Sequence, residues 1–376
     1  MSPVKTICRG HPQLYRKEKN MPALRDFFDK LPCPCSNDRV LLLTHNDLDG
    51  AGATILTKAV FKNANVINCS NGNMDEMILQ EVTSPTASEK YDLILICDIS
   101  CSEETARIID STPNRPKLVL LDHHQTATDL NKYDWACVSE YMPSDSVRAC
   151  DYKNMDNYKA MQSGTAWLYD FLYFHGLLRD ANVRRPELLS RFVQLVSEWD
   201  TWEWTNVFHD DESKKLNSVF HLYDMKFFTI KMLRRLASNE NSLFRIDDEE
   251  LLEIEQTKID AHLKSTAKNM YTCSIKLPND RKYSAVFCST GKYISDVFEM
   301  MKNTYPDKDL YIICYGTGIS IRTVNPEINA ADIASRYEGG GHPGAAGFTV
   351  SKECQANFIR KAMHAQIRFT KPNPVK

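Results

Sequence analysis

Four continuous apolar runs punctuate the first third of the chain: Arg39–Thr44 (RVLLLT), Ala64–Asn68, Leu93–Asp98 (LILICD) and Lys117–Asp122 (KLVLLD). Each is strand-sized and is followed by helix-compatible sequence, the first by the glycine-containing stretch from Gly50 to Phe61. Continuous apolar strands alternating with helices predict a parallel α/β sheet covered on both faces. Further helices are predicted at Gly164–Phe174 and Pro186–Trp199. The pattern over 206–268 is helical, and DDEELLEIEQ (247–256) opens a long helix with acid near its N-terminus. A second, smaller α/β unit begins at Tyr271, with strands predicted at Tyr283–Cys288, Asp309–Tyr315 and Ser320–Val324 and a glycine-rich loop at Gly339–Gly347. The expected organisation is an extension (1–35), an N-terminal parallel-sheet domain (36–205), a helical connector (206–268) and a C-terminal α/β domain (269–376) closing in a frayed KPNPVK tail.

Composition changes this picture little, and charge changes it more. The chain has 376 residues, 43% hydrophobic and 25% charged, which is ordinary for a globular protein of two or three domains. The net charge of −3 offers no strongly basic nucleic-acid binder. By segment, however, the charge runs +4 over 1–35, −10 over 36–205, −2 over 206–268 and +5 over 269–376. No apolar signal-peptide core opens the sequence and no run reaches membrane-spanning length, so a cytoplasmic protein without membrane contact is expected. Its 12 Cys are then expected as reduced thiols. A zinc cluster of Cys8, His11, Cys33 and Cys35 is the weaker reading, since no recognised CxxC pair is present.

The acid is placed where a sheet of this kind binds ligands. His45-Asn46-Asp47-Leu48-Asp49-Gly50 follows the first strand, Asp98 ends the third, and Asp122-His123-His124 follow the fourth. In open parallel sheets ligands lie beyond the carboxyl ends of the strands. Carboxylates crowded on that rim raise one another's pKa unless a countercharge is present, and a pair of divalent cations supplies it. Hard oxygens with a few imidazoles suit Mn²⁺ or Mg²⁺. Each piece alone has a plainer explanation: DxDG as a turn or cap, Asp98 as the cap of a helix starting near Ser102, paired histidines as polar loop residues. Together at successive strand ends they favour function.

HNDLDG, LICDIS and LLDHH, with GGGHPGAAGF (339–348) downstream, resemble the DHH phosphoesterases and their DHH-associated C-terminal domain across roughly 39–350. LDHHQTA, NKYDWA, Gly164-Thr165, SEWDTWEW and SIRTVN are similar to the bacterial nanoRNase (NrnB-like) oligoribonuclease branch. The resemblance implies that Asp47 holds a first metal, that Asp49, His123 and Asp200 hold a second, and that Asp98 bridges them. It further implies that Asp122 orients His123 and that His124 sits against the scissile phosphate as electrostatic stabiliser or acid. Many relatives carry a ligating His where this chain has Leu43, and His45, two residues before Asp47, is an uncertain substitute. Asp200, between tryptophans in SEWDTWEW, has capping as its plainer role. The resemblance also gives Arg322 a substrate phosphate or carboxylate, a task suited to a planar guanidinium. Gly339, Gly340 and Gly341 read as an anion-binding concavity, with His342 on the end or base of the substrate.

Two divalent ions about 4 Å apart can generate hydroxide and clamp phosphoryl oxygens. The expected function is therefore two-metal hydrolysis of short oligoribonucleotides or linear dinucleotides to mononucleotides. Cyclic dinucleotides or adenosine bisphosphate are the alternative substrates, and inorganic pyrophosphate is disfavoured. A non-catalytic nucleotide-binding relative is the alternative of another class, and the intact carboxylates argue against it. No extended basic channel is evident for long strands. The aromatics at 220–223, 227 and 228 are assigned to the core rather than to base stacking. A homodimer is compatible with all of this.

Overall fold

The computed structural model describes residues 24–70, 72–152, 158–277, 281–354 and 357. Cys8, His11 and the C-terminal KPNPVK lie outside them. Two compact units divide at Glu253/Ile254.

The first unit opens with the short helix α1 (Leu24–Phe28) and is built on strands β1 (Arg39–His45), β2 (Asn63–Cys69), β3 (Leu93–Cys97), β4 (Leu118–Asp122) and β5 (Ala136–Val138). All five are parallel, in the order β2-β1-β3-β4-β5. Helix α2 (Leu48–Val60) links β1 to β2. Helices α3 (Met74–Thr83) and α4 (Ala87–Lys90) precede β3, and α5 (Glu103–Asp110) precedes β4. The chain then continues through α6 (Gly164–Phe174), α7 (Pro186–Asp200), α8 (Asp211–Leu222) and α9 (Met225–Leu236). The continuous apolar strands are explained by two cores. Val40, Leu42, Leu95, Val119 and Leu121 face Ile55, Trp167, Phe171 and Phe192 on one side. Leu41, Leu43, Ile94, Ile96 and Leu120 face Ile78, Val82, Ala106 and Ile109 on the other. With a period of two, both faces of a buried parallel strand must be apolar.

The stretch expected as a connector differs. Helices α8 and α9 place Leu216, Val219, Phe220, Phe228, Met232 and Leu236 in the first core, so they are integral to this unit. The division between units falls later, inside α10 (Ile246–Thr266).

The second unit is a mixed six-stranded sheet of β6 (Tyr271–Lys276), β7 (Lys282–Ser289), β8 (Leu310–Tyr315), β9 (Gly318–Arg322), β10 (Gly340–His342) and β11 (Ala345–Thr349), in the order β10-β11-β9-β8-β7-β6. Only β7 and β8 are parallel, and helix α11 (Ile294–Thr304) crosses between them. Phe298 of α11 lies on Tyr311, with ring centroids 5.4 Å apart. Helix α12 (Ala330–Ser335) packs Ala330, Ile333 and Ala334 with Leu310, Ile321 and Ala346. The expected glycine-rich loop is a correction: Gly340–His342 pair with Gly347–Ala345 as a hairpin. Glycine lacks the side chain whose alternation would reveal a strand, so the run carries no period-two signal. No helix among the described residues is long and apolar enough to cross a membrane.

Candidate metal centre and substrate grip

β1, β3 and β4 lie side by side, and their carboxyl ends form the rim where the strand order reverses. Asp47 N-caps α2, its carboxylate accepting from the Gly50 N–H at 3.0 Å. Asp47 therefore has the capping role expected of DxDG. Asp49, in the first turn, is buried and caps a second helix from outside it: the Gly164 N–H donates to Oδ2 at 2.7 Å and the Thr165 N–H to Oδ1 at 2.9 Å. The Thr165 hydroxyl also donates to the Asp49 carbonyl at 2.6 Å. The start of α6 is thereby pinned to the rim. Asp98 follows β3 with a positive φ of 58°, a backbone state costly for a side-chain-bearing residue. Ser102 caps α5 itself, accepting from the Thr105 N–H, so Asp98 is not consumed as a cap.

The side chains converge. His123 Nε2 lies 3.2 Å from Asp200 Oδ2, 3.3 Å from Asp98 Oδ1 and 3.8 Å from Asp49 Oδ2. Ligand atoms of Asp49, His123 and Asp200 fall within 4.8 Å of one another, as do those of His45, Asp47 and Asp98. The structure thus brings His45, the uncertain member, beside Asp47, with Nδ1 2.6 Å from its Oδ2, while Leu43 is buried in the core. Asp200 ends α7, next to the stacked pair Trp199 and Trp204 at 5.4 Å, so the aromatic patch and the acid cluster adjoin.

The expectation that Asp122 orients the His123 ring needs correcting. The Asp122 carboxylate takes the backbone N–H of His123, but the ring it pairs with is His124, through Nδ1 at 2.8 Å. Ser100 Oγ donates to its other oxygen. Burial alone would neutralise Asp122, yet His124, His123 and Ser100 hold it well below the usual carboxylate range. In return, burial works to lower the His124 pKa, and Asp122 overcomes it, raising the imidazole to about 9.

Asp98 and Asp200 are pushed in the opposite direction. Burial first, then the neighbouring Asp49 and Asp47, raise both well above the ordinary range. Among the described residues the buried Asp98 Oδ2 has no hydrogen-bond partner, and the buried Asp200 Oδ2 makes no well-formed hydrogen bond although His123 Nε2 lies 3.2 Å away. Acids that crowd, bury and leave oxygens without a well-formed hydrogen bond fit bound cations. The donor set is oxygen and imidazole: the neighbouring Cys97 thiol donates to the Gly164 carbonyl at 3.2 Å and is held protonated by burial and nearby acids. That chemistry suits Mn²⁺ or Mg²⁺.

In the second unit Arg322 and His342 are each paired in register with Ala345, from opposite sides of β11. Directly opposed residues in antiparallel strands share a face, so a guanidinium and an imidazole flank a single methyl. The floor beside them is Ser320, Gly347 and Gly340. Gly341 has φ 137°, and a side chain on Gly339 would meet the Gly347 carbonyl. The glycines therefore permit close strand packing, with part of their backbone engaged in the ladder rather than free to wrap an anion. Arg322 donates from Nε to Ser320 Oγ at 3.1 Å and lies 5.8 Å over the Phe298 ring.

The DHHA1 domain family matches residues 283–368. Oligoribonuclease NrnB of Bacillus subtilis is 29% identical over 327 residues, covering 85% of this chain and 75% of the relative. The chain is similar to the DHH phosphoesterases. A 3',5'-cyclic-nucleotide phosphodiesterase of Helicobacter pylori is 23% identical over 346 residues, 82% of this chain and 92% of the relative. Among solved structures, RecJ in complex with Mg²⁺ from Thermus thermophilus covers 92% of this chain and 52% of its own, at 14% identity and a TM-score of 0.46. Sequence reasoning did not assign roles to Ser100, Gly164 and Thr165. Gly164-Thr165 was visible as a motif, but its contact with Asp49 spans 115 positions of sequence and has no local signature.

Proposed function

We propose that this protein is a DHH phosphoesterase that hydrolyses short oligoribonucleotides or linear dinucleotides to mononucleotides with two divalent cations, Mn²⁺ in the first place and Mg²⁺ as the alternative. The observation that carries the reading is the rim cluster, in which Asp98 of one ligand group lies 3.3 Å from His123 of the other and buried oxygens are left without a well-formed hydrogen bond. His45, Asp47 and Asp98 would hold one cation; Asp49, His123 and Asp200, with Asp98 between, would hold the other. When bound, such cations supply a water of lowered pKa and electrostatic stabilisation of phosphoryl oxygens. His124, whose Nδ1 is held by Asp122 and whose imidazole Asp122 raises to about 9 in the metal-free protein, offers an N–H to the developing charge on phosphate or leaving oxygen. Asp49 and the start of α6 keep the carboxylates in place. Arg322 takes a terminal phosphate or the next phosphodiester as a fork of donors, with His342 beside it.

The 29% identity to an oligoribonuclease favours linear RNA ends over other phosphoesters. Cyclic nucleotides are the second reading, favoured by the relative of which 92% is covered. Ten of the cysteines, among them Cys97, Cys137 and Cys288, are free, which suits the reducing cytoplasm. A panel of diribonucleotide, longer RNA, DNA, cyclic dinucleotide and adenosine bisphosphate, assayed with Mn²⁺, tests the proposal. Mononucleotide release from the dinucleotide, abolished in Asp98→Ala while the fold is retained, is the expected result. Exclusive turnover of a cyclic dinucleotide would select the second reading, and binding of dinucleotide without turnover would select a non-catalytic module.

A further inference from the structure

The face of the second sheet that carries Arg322 continues past it. Tyr315, at the end of β8, is paired with Gly318 at the start of β9. A side chain on Gly318 would lie 2.4 Å from Tyr315 Cζ and 2.5 Å from Cε2, so the phenol ring lies over the glycine. Gly318, Ser320 and Arg322 alternate onto one face, which makes Tyr315, Ser320 and Arg322 successive features of one surface. The Arg322 Nε sits on Ser320 Oγ at 3.1 Å, and Ser320 is two residues, roughly 7 Å, from Gly318. The guanidinium and the phenol are electrostatic neighbours. Tyr315 remains 39% exposed, which for a ring covering a glycine leaves its outer surface available.

We propose that Tyr315 is a nucleobase platform: the base of the nucleotide whose phosphate lies on Arg322 stacks on the phenol ring. Between ring and guanidinium the floor is Ser320 and glycine, small enough to admit a sugar. The inference rests on the hydrolase reading above and deepens it, because a stacking ring beside the phosphate grip selects nucleotides over phosphoesters that lack a base. An aromatic covering a strand glycine also has a purely structural use, and the test separates the two.

Base-bearing pApA and the same sugar–phosphate skeleton without bases are assayed with the wild type, Tyr315→Phe, Tyr315→Trp, Tyr315→Leu and Tyr315→Ala. Tyr315→Leu keeps an apolar cover on Gly318 but has no flat face. Stacking lost to Ala is typically worth about 1–3 kcal/mol per base, roughly 5–150-fold. The preference for pApA over the abasic skeleton, as a ratio of kcat/KM, should therefore fall at least fivefold in both Leu and Ala variants, chiefly through KM. Phe and Trp should preserve it, and tryptophan fluorescence in Tyr315→Trp should be quenched by pApA. An unchanged preference in Tyr315→Leu would overturn the platform while leaving the hydrolase reading intact. Equal losses on both substrates would do the same by revealing a structural role. Absence of turnover on every substrate by the wild type would instead remove the reading on which the platform rests.

Discussion

Gly164 is the position where a single methyl group should damage both stability and metal binding. It begins α6 with no side chain because Asp98 occupies that space: a Cβ there would lie 2.6 Å from Asp98 Cβ and 2.8 Å from both its Cα and its N. Two of those three atoms are backbone, and Asp98 is already held at φ 58°, so neither partner can yield cheaply. Overpacking of this kind costs about 1–3 kcal/mol. In a unit of this size each kcal/mol lowers the melting temperature by about 2–4 °C, so Gly164→Ala should melt roughly 2–12 °C lower. The same methyl would separate the Gly164 N–H from Asp49 Oδ2, now 2.7 Å away, and displace Asp98, which touches both ligand groups. Loss of such supporting contacts typically weakens metal binding by about 10–100-fold. Calorimetric Mn²⁺ titration and thermal melts of the metal-free protein measure the two effects. Gly72→Ala is the internal control, since nothing lies within 4 Å of its would-be Cβ, and it should melt as the wild type does. Wild-type Mn²⁺ affinity and melting temperature in Gly164→Ala would refute the packing argument.

The remaining expectations concern charge. In the metal-free protein the His124 imidazole should titrate near pH 9, and Asp122→Asn should bring it back toward 6.5, as followed by ring-proton NMR. A raised histidine pKa stabilises the fold fully below 6.5, so this contribution should fade as pH rises through about 9. The depressed Asp122 pKa works at the other end, its contribution present above 3.8 and lost as pH falls below that value. A His124 titration near 6.5 in the wild type would exclude the pairing. Arg322→Lys keeps the charge but loses the fork, and losing charge-assisted hydrogen bonds worth about 1.5–3 kcal/mol should raise KM roughly 10–100-fold. Steady-state kinetics with a dinucleotide would show that change, and an unaltered KM would remove Arg322 from the grip.

Much of this molecule is written locally. Runs such as LILIC and LVLLD are apolar at every position because both faces of β3 and β4 are buried, and a period-two or period-zero pattern needs no distant partner to be seen. The rim residues follow directly in sequence, since the topology of a parallel sheet delivers whatever comes after each strand to the same edge. Asp47, Asp98 and His123 were legible for that reason. What sequence could not rank was which neighbours they meet. Asp122 has His123 and His124 adjacent, and only folding turns the His124 ring onto its carboxylate while His123 reaches Asp98 and Asp200. His45 against Leu43 is the same kind of question, decided by where β1 leaves the core. The hairpin of Gly340–His342 escaped because glycine writes no side-chain pattern, and its register, which sets Arg322 and His342 either side of Ala345, is a long-range pairing. Composition and periodicity thus determined the layers and the chemistry available at their edge. Tertiary contacts, which act between residues far apart in sequence, decided the partners, the protonation and the close approach that Gly164 permits.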